Sequence, residues 1–85
     1  MSNERQATRE WTADAVRQAL ADSGQSQRSV SEMSGIPYST LRRKIRGHGD
    51  FDFPELLTLA EALGVHPAVF TPPAFRTKRV EEMAA

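Results

Sequence analysis

The chain has 85 residues, a formal net charge of zero and no cysteine. This length fits one compact domain, and the lack of cysteine excludes disulfides and thiolate metal sites. Its two histidines are too few for a histidine metal cluster, and no apolar run approaches the roughly 20 residues of a membrane-spanning helix. We therefore expect a cytoplasmic protein with no metal, no cofactor, no small-molecule ligand and no membrane partner.

The N-terminal region divides into a polar stretch and a first helix. Residues 1–10 show no apolar periodicity and predict a flexible arm. The first helix is predicted from about Thr12, as its N-cap, to Ser23, with Gly24 as its stop. Its alanine, valine and leucine residues recur at helical spacing.

Two short helices follow with a tight turn between them. The second helix is predicted to open with Ser26 as N-cap and to run to about Ser34, where Gly35 ends it. The third is predicted from about Pro37 to Arg46, since proline suits a first helical turn.

A fourth helix is predicted from about Phe53 to Leu63, with Asp52 as its cap and Gly64 as its stop. Residues 67–70 predict one further helical turn before the Pro72-Pro73 pair. The fold class is therefore all-α, a compact bundle of four to five helices. Residues 11–71 are predicted to form the domain and residues 72–85 a flexible C-terminal tail.

The total charge is neutral, but basic and acidic residues are concentrated in different parts of the sequence. Five basic residues and one acidic residue lie between positions 25 and 49, whereas positions 50–70 hold four acidic residues and no lysine or arginine. A phosphate backbone responds to the local field rather than to the total charge, so nucleic acid stays a candidate partner.

The segment from Gln27 to Arg46 has the layout of a helix-turn-helix, with a short helix, a glycine turn and a second short helix. In its second helix, Leu41 and Ile45 stand four residues apart on the inner face. In such motifs that second helix projects into the DNA major groove.

Four short stretches carry a resemblance to the phage-repressor and Cro type of helix-turn-helix domain, the XRE-like or lambda-repressor-like family. They are Ser26-Gln27, Ser34-Gly35-Ile36, Ser39-Thr40-Leu41 and Arg46-Gly47, and Leu59 to Val65 adds a match to that family's fourth helix. The sequence departs from the family at Lys44, where an apolar residue is usual, and at Pro37, where a capping hydroxyl is common. Ile45 is expected to take the inward role, with the Lys44 stem along the edge of the core.

The resemblance implies double-stranded DNA as partner and assigns contacts residue by residue. Pairs four apart are expected to share the face opposite the core and to contact base edges: Tyr38, Ser39, Arg42 and Arg43. Contacts to the DNA backbone are expected from Ser26, Gln27, Arg28, Thr40, Lys44, Arg46 and His48. Which of the two arginines reads a base stays open.

The predicted function is sequence-specific binding and transcription regulation by a Cro-like or immunity-repressor-like phage regulator, associated with the nucleoid of a bacterial host. A homodimer on a palindromic operator is expected because such domains often pair on two half-sites. The alternatives are an antitoxin-type interaction module with autoregulatory DNA binding and an adaptor that binds no DNA. No constellation of residues predicts a catalytic site, so we do not expect an enzyme.

Overall fold

A computed structural model describes residues 3–75 of the chain. All regular elements in this part are helical and it contains no strand, which confirms the predicted all-α fold. The elements in chain order are α1 (Asn3–Ser23), α2 (Gln27–Ser34), α3 (Tyr38–Ile45), α4 (Phe53–Leu63) and two 3-10 turns (Pro67–Phe70 and Pro73–Phe75).

The start of α1 differs from the sequence prediction. The helix begins at Asn3, so Thr12 lies in its interior and does not cap it, and residues 3–10 of the predicted flexible arm are helical. The side chains of residues 4–8 are exposed, which explains why no apolar periodicity marks this part of the helix. The first turns are held by ion pairs from Arg5 and Arg9 to Asp50.

The ends of α2 and α4 confirm the predicted caps. The Ser26 hydroxyl accepts a hydrogen bond of 3.0 Å from the Ser29 amide, and Gly35 ends α2 with a φ of 81°, which favours glycine. At α4, Asp52 and Glu55 form a reciprocal capping box, in which each side chain accepts a hydrogen bond from the other's backbone N–H. Both boundaries are therefore fixed by local chemistry.

The start of α3 is displaced by one residue from the prediction. Pro37 is the N-cap, with φ −54° and ψ 141°, and makes no side-chain capping bond. Helical residues begin at Tyr38 and end at Ile45, and Arg46 is the C-cap.

One apolar core joins the four helices. Leu41 and Leu59 are both 0% exposed and lie at its centre. The same buried cluster contains residues from all four helices, from the turn between α2 and α3 and from the first 3-10 turn, namely Val16, Val30, Ile36, Ile45, Ala60, Leu63 and Phe70. The predicted inward positions of α3, Leu41 and Ile45, are confirmed.

No helix in residues 3–75 is long and apolar enough to cross a membrane. The predicted flexible tail begins with a 3-10 turn at Pro73–Phe75, and its residues 76–85 lie outside the described part of the chain.

Candidate nucleic-acid interface

The orientation of α3 is set by its buried inner face and by a hydrogen bond at its C-terminal end. Leu41 and Ile45 are buried on its inner face, and the Arg17 guanidinium of α1 donates a hydrogen bond to the Ile45 carbonyl at its C-terminal end. Carbonyls in the last turn of a helix lack partners inside it and favour a cation. Arg17 thus positions α3, a role that the sequence analysis missed because the partner lies 28 residues away.

The four predicted base-contacting residues form two rows, not one face. At about 100° per residue, Ser39 and Arg43 stand about 160° from Leu41 around the helix, whereas Tyr38 and Arg42 stand only about 60° and 100° from it. Ser39, Arg42 and Arg43 are exposed, and Tyr38 is half-buried. The expectation that all four lie opposite the core was therefore wrong for Tyr38 and for Arg42, which is exposed on the flank of the helix.

Tyr38 links α3 to α2. Its ring lies below the Arg28 guanidinium, with 4.2 Å from the Arg28 Cζ to the ring centroid, and the Arg42 Cζ is 5.7 Å from the same centroid. Both distances allow attraction between a cation and the face of an aromatic ring. Tyr38, Arg28 and Arg42 therefore form a cationic cluster on the side of α3 that faces α2.

Arg43 extends from α3 toward the loop that follows it. Its Nη1 donates a hydrogen bond of 3.1 Å to the His48 carbonyl, in an exposed position. A Cβ atom added at Gly49 would lie only 2.3 Å from the same Nη1, so glycine leaves the room that this guanidinium occupies.

The exposed arginines of α3 carry no intramolecular ion pair within residues 3–75, where no carboxylate lies within 4.0 Å of the Arg42 or Arg43 guanidinium. The acidic half of the sequence does not neutralise this surface, and both side chains face solvent. The surface is thus free to bind an anionic partner.

Lys44 lies apart from this surface. Its Nζ is 2.7 Å from the Glu55 Oε1, and the two side chains are only 12% and 18% exposed. The Lys44 side chain is largely buried, and its charge is paired inside the domain. Lys44 is therefore not available to contact the DNA backbone.

The other predicted backbone contacts lie at the start of α2, within α3 and just beyond the end of α3. The Ser26 hydroxyl is occupied in the cap of α2, and Gln27 is half-buried in the first turn of that helix. Thr40 is half-buried on α3, whereas Arg46 and His48 are exposed beyond its last turn.

The chain is similar to a known family of proteins. The family model described as "Helix-turn-helix" matches residues 16–70, which include α2, α3, the turn between them and α4. The chain belongs to the XRE-like helix-turn-helix family. A search of curated proteins found no match.

The helix-turn-helix chain is also similar to a solved structure, that of the restriction-modification controller protein C.AhdI from Aeromonas hydrophila. The match covers 75% of this chain and 97% of that chain, with 25% sequence identity and a TM-score of 0.71. Family and structural match together identify a DNA-binding transcription regulator and not an enzyme.

A group of charges in this helix-turn-helix chain was missed by the sequence analysis. The Asp50 carboxylate accepts hydrogen bonds from the Arg9 Nε at 2.6 Å and from the Arg5 Nη2 at 3.2 Å. The pKa of Asp50 is lowered, chiefly by the hydrogen bond from Arg9 and to a smaller extent by that from Arg5. Together these bonds outweigh desolvation, which would raise the pKa. The arginines are four apart on α1, a spacing that shares a helix face, but no sequence pattern linked them to Asp50.

Proposed function

We propose that this regulator recognises a specific operator by inserting α3 into the major groove of double-stranded DNA. The observation that carries the proposal is the opposition of two faces on one short helix. Leu41 and Ile45 are buried, whereas Ser39 and Arg43 point away from them into solvent. An exposed helix with hydrogen-bonding side chains on its outer face has the shape and chemistry that base edges require.

The side chains on the two rows of α3 can make different contacts with DNA. Arg43 or Arg42 can donate two hydrogen bonds to the O6 and N7 atoms of guanine, and Ser39 can bond to several bases. Tyr38 lies on the flank beside Arg28, where its ring can contact a thymine methyl group or a sugar.

Contacts to phosphate are proposed at both ends of the motif. The backbone N–H groups in the first turn of α2, around Ser26 and Gln27, form a site of positive potential for a phosphate. Arg28, Arg46 and His48 are exposed and can reach the DNA backbone, and Thr40 can add a hydroxyl donor.

We propose that the protein is a small regulator that acts by binding to operators. The sequence motifs support a Cro-like or immunity-repressor-like phage regulator that acts as a homodimer on a palindrome, on the nucleoid of a bacterial cell. The similarity to C.AhdI favours a second candidate, a controller of a restriction-modification system. An antitoxin role is the alternative, and it predicts a toxin that co-purifies with the chain.

Selection of duplexes from a random library, followed by a salt titration of the selected site, tests the proposal. We expect one enriched sequence and an affinity that falls steeply with salt, since each phosphate contact releases counterions. In a palindrome the enriched half-sites would lie about one helical turn apart.

Variants then separate reading of bases from contact with phosphate. We expect Arg43→Ala or Arg42→Ala to cost about 1–3 kcal/mol on the selected site and to relax preference at one base pair. Arg46→Ala should weaken selected and random duplexes alike, and Gln18→Ala on α1 serves as the control. The proposal fails if no sequence is enriched, or if all three arginine variants affect selected and random duplexes equally.

A further inference from the structure

Arginines from two separate helices meet at the loop between α3 and α4. The His48 carbonyl of this loop accepts the hydrogen bond from Arg43, and Asp50, two residues later, holds Arg9 and Arg5 of α1. Neighbouring Cα atoms are about 3.8 Å apart, so His48 and Asp50 are separated by no more than about 7.6 Å. The loop therefore brings Arg9 and Arg5 of α1 close to the surface that Arg43 occupies.

We call this group of residues, Arg5, Arg9, Asp50 and Arg43, the arginine ridge. It contains three guanidinium groups and one carboxylate, so its net charge is positive although Asp50 pairs with both Arg5 and Arg9. The Arg5 side chain is 81% exposed and directs one N–H group to Asp50. A guanidinium carries five such donors, and most of those on Arg5 are open to solvent.

Phosphates follow one another at about 3.4 Å of helix axis on each DNA strand. The Cα separation of at most about 7.6 Å between His48 and Asp50, the loop residues that hold Arg43 and the two arginines of α1, therefore corresponds to about two nucleotides. If Arg43 faces the major groove, as proposed above, Arg9 and Arg5 lie beside a strand that flanks the base pairs under α3.

We propose that Arg5 and Arg9 form a second phosphate site, which binds the DNA backbone outside the segment read by α3, and that Asp50 positions them and competes with the phosphates. This inference rests on the proposed function and adds the N-terminal turns of α1 to the interface. It gives Asp50 and the two arginines opposite effects on DNA affinity.

A purely structural role predicts a different pattern. If Asp50 only anchored the start of α1 to the loop, loss of either partner would lower thermal stability and leave DNA affinity unchanged. Variants on both sides of the same ion pairs therefore distinguish the two roles.

The test uses the full chain and binding to the selected duplex, followed by fluorescence anisotropy over a range of salt concentrations. For Arg5→Ala/Arg9→Ala we expect weaker binding and a slope of log affinity against log salt that is smaller by about 1–2, since each lost contact removes about 0.9. Asp50→Asn should bind more tightly than the wild type. Glu10→Gln is its matched control, because it changes the net charge of the protein by the same amount but at a residue that bonds Gln6 instead of the arginines.

Trimming the duplex locates the second site. On a duplex shortened to the base pairs under α3, the double variant and the wild type should bind equally well, because the flanking phosphates are gone. The inference is overturned if Asp50→Asn, the double variant and the wild type bind the long duplex with equal affinity. It is also overturned if Glu10→Gln tightens binding as much as Asp50→Asn does. The proposed function would survive that result, whereas it fails with the inference if the wild type binds no duplex.

Discussion

Gly49→Ala tests whether Arg43 must leave its intramolecular hydrogen bond to reach a base. The added methyl group would lie 2.3 Å from the Arg43 Nη1 and 3.3 Å from its Cζ, so the guanidinium must move off the His48 carbonyl. The nearest atom is the far end of a flexible side chain, and the φ of Gly49 is not in the left-handed region. The domain should therefore fold without strain.

The size of the effect follows from the bond that is lost. An exposed hydrogen bond contributes about 0.5–1.5 kcal/mol to the free energy of the unbound state. If DNA binding breaks this bond, its prior removal should tighten binding to the selected site by up to that amount, or roughly 2- to 10-fold. In the free energy of unfolding, the gain of about 0.4–1 kcal/mol from replacing glycine at a compatible position should offset much of the lost hydrogen bond.

A double-mutant cycle with Arg43→Ala provides the assay. Affinity for the selected duplex is measured by anisotropy for the wild type, both single variants and the double variant. We expect Gly49→Ala to have no effect once Arg43 is alanine, because the interaction is then absent. The reasoning is refuted if Gly49→Ala weakens binding as much as Arg43→Ala does, or if its effect persists in the Arg43→Ala background.

Three further predictions concern stability. Lys44→Met should lower the free energy of unfolding in urea by about 1–3 kcal/mol, because it leaves the poorly exposed Glu55 carboxylate without its cation; an unchanged midpoint would contradict this. Asp50→Asn should lower the melting temperature at neutral pH. The pKa of Asp50 is lowered in the folded state, so the ionised carboxylate stabilises the folded protein at pH values above the ordinary pKa of 3.8. This stabilisation is lost as the pH falls through the lowered pKa, and the melting temperatures of wild type and Asp50→Asn should converge in acid. Tyr38→Leu should cost about 0.5–1 kcal/mol through the lost stacking of Arg28 on the ring, whereas Tyr38→Phe should melt like the wild type.

The sequence predicts those parts of the fold whose causes are local. Ser26, Gly35, Asp52 and Gly64 mark helix ends through bonds or backbone angles within a few residues, and the ends of α2 and α4 agree with the structure. The apolar spacing of Leu41 and Ile45 likewise fixes the inner face of α3.

The features that the sequence analysis missed depend on distant partners. The first turns of α1 are held by Asp50, more than 40 residues away in the chain, so residues 3–10 resemble a polar arm when read alone. The pairing of Lys44 with Glu55 and the hydrogen bond from Arg17 to Ile45 depend on how the helices pack. A basic residue on a predicted DNA-binding helix therefore does not by itself reveal whether its charge is available to DNA.

The side chains that hold α3 in place differ from those that would read DNA. Leu41, Ile45, Lys44 and the incoming Arg17 fix the helix, whereas Ser39 and Arg43 contribute little to the core. Exchange of the outer residues should therefore leave the scaffold intact, so that new operator preferences can arise by drift or by laboratory retargeting without a compensating change in the interior. Related chains could in this way diverge quickly in the sites they recognise while keeping a common architecture.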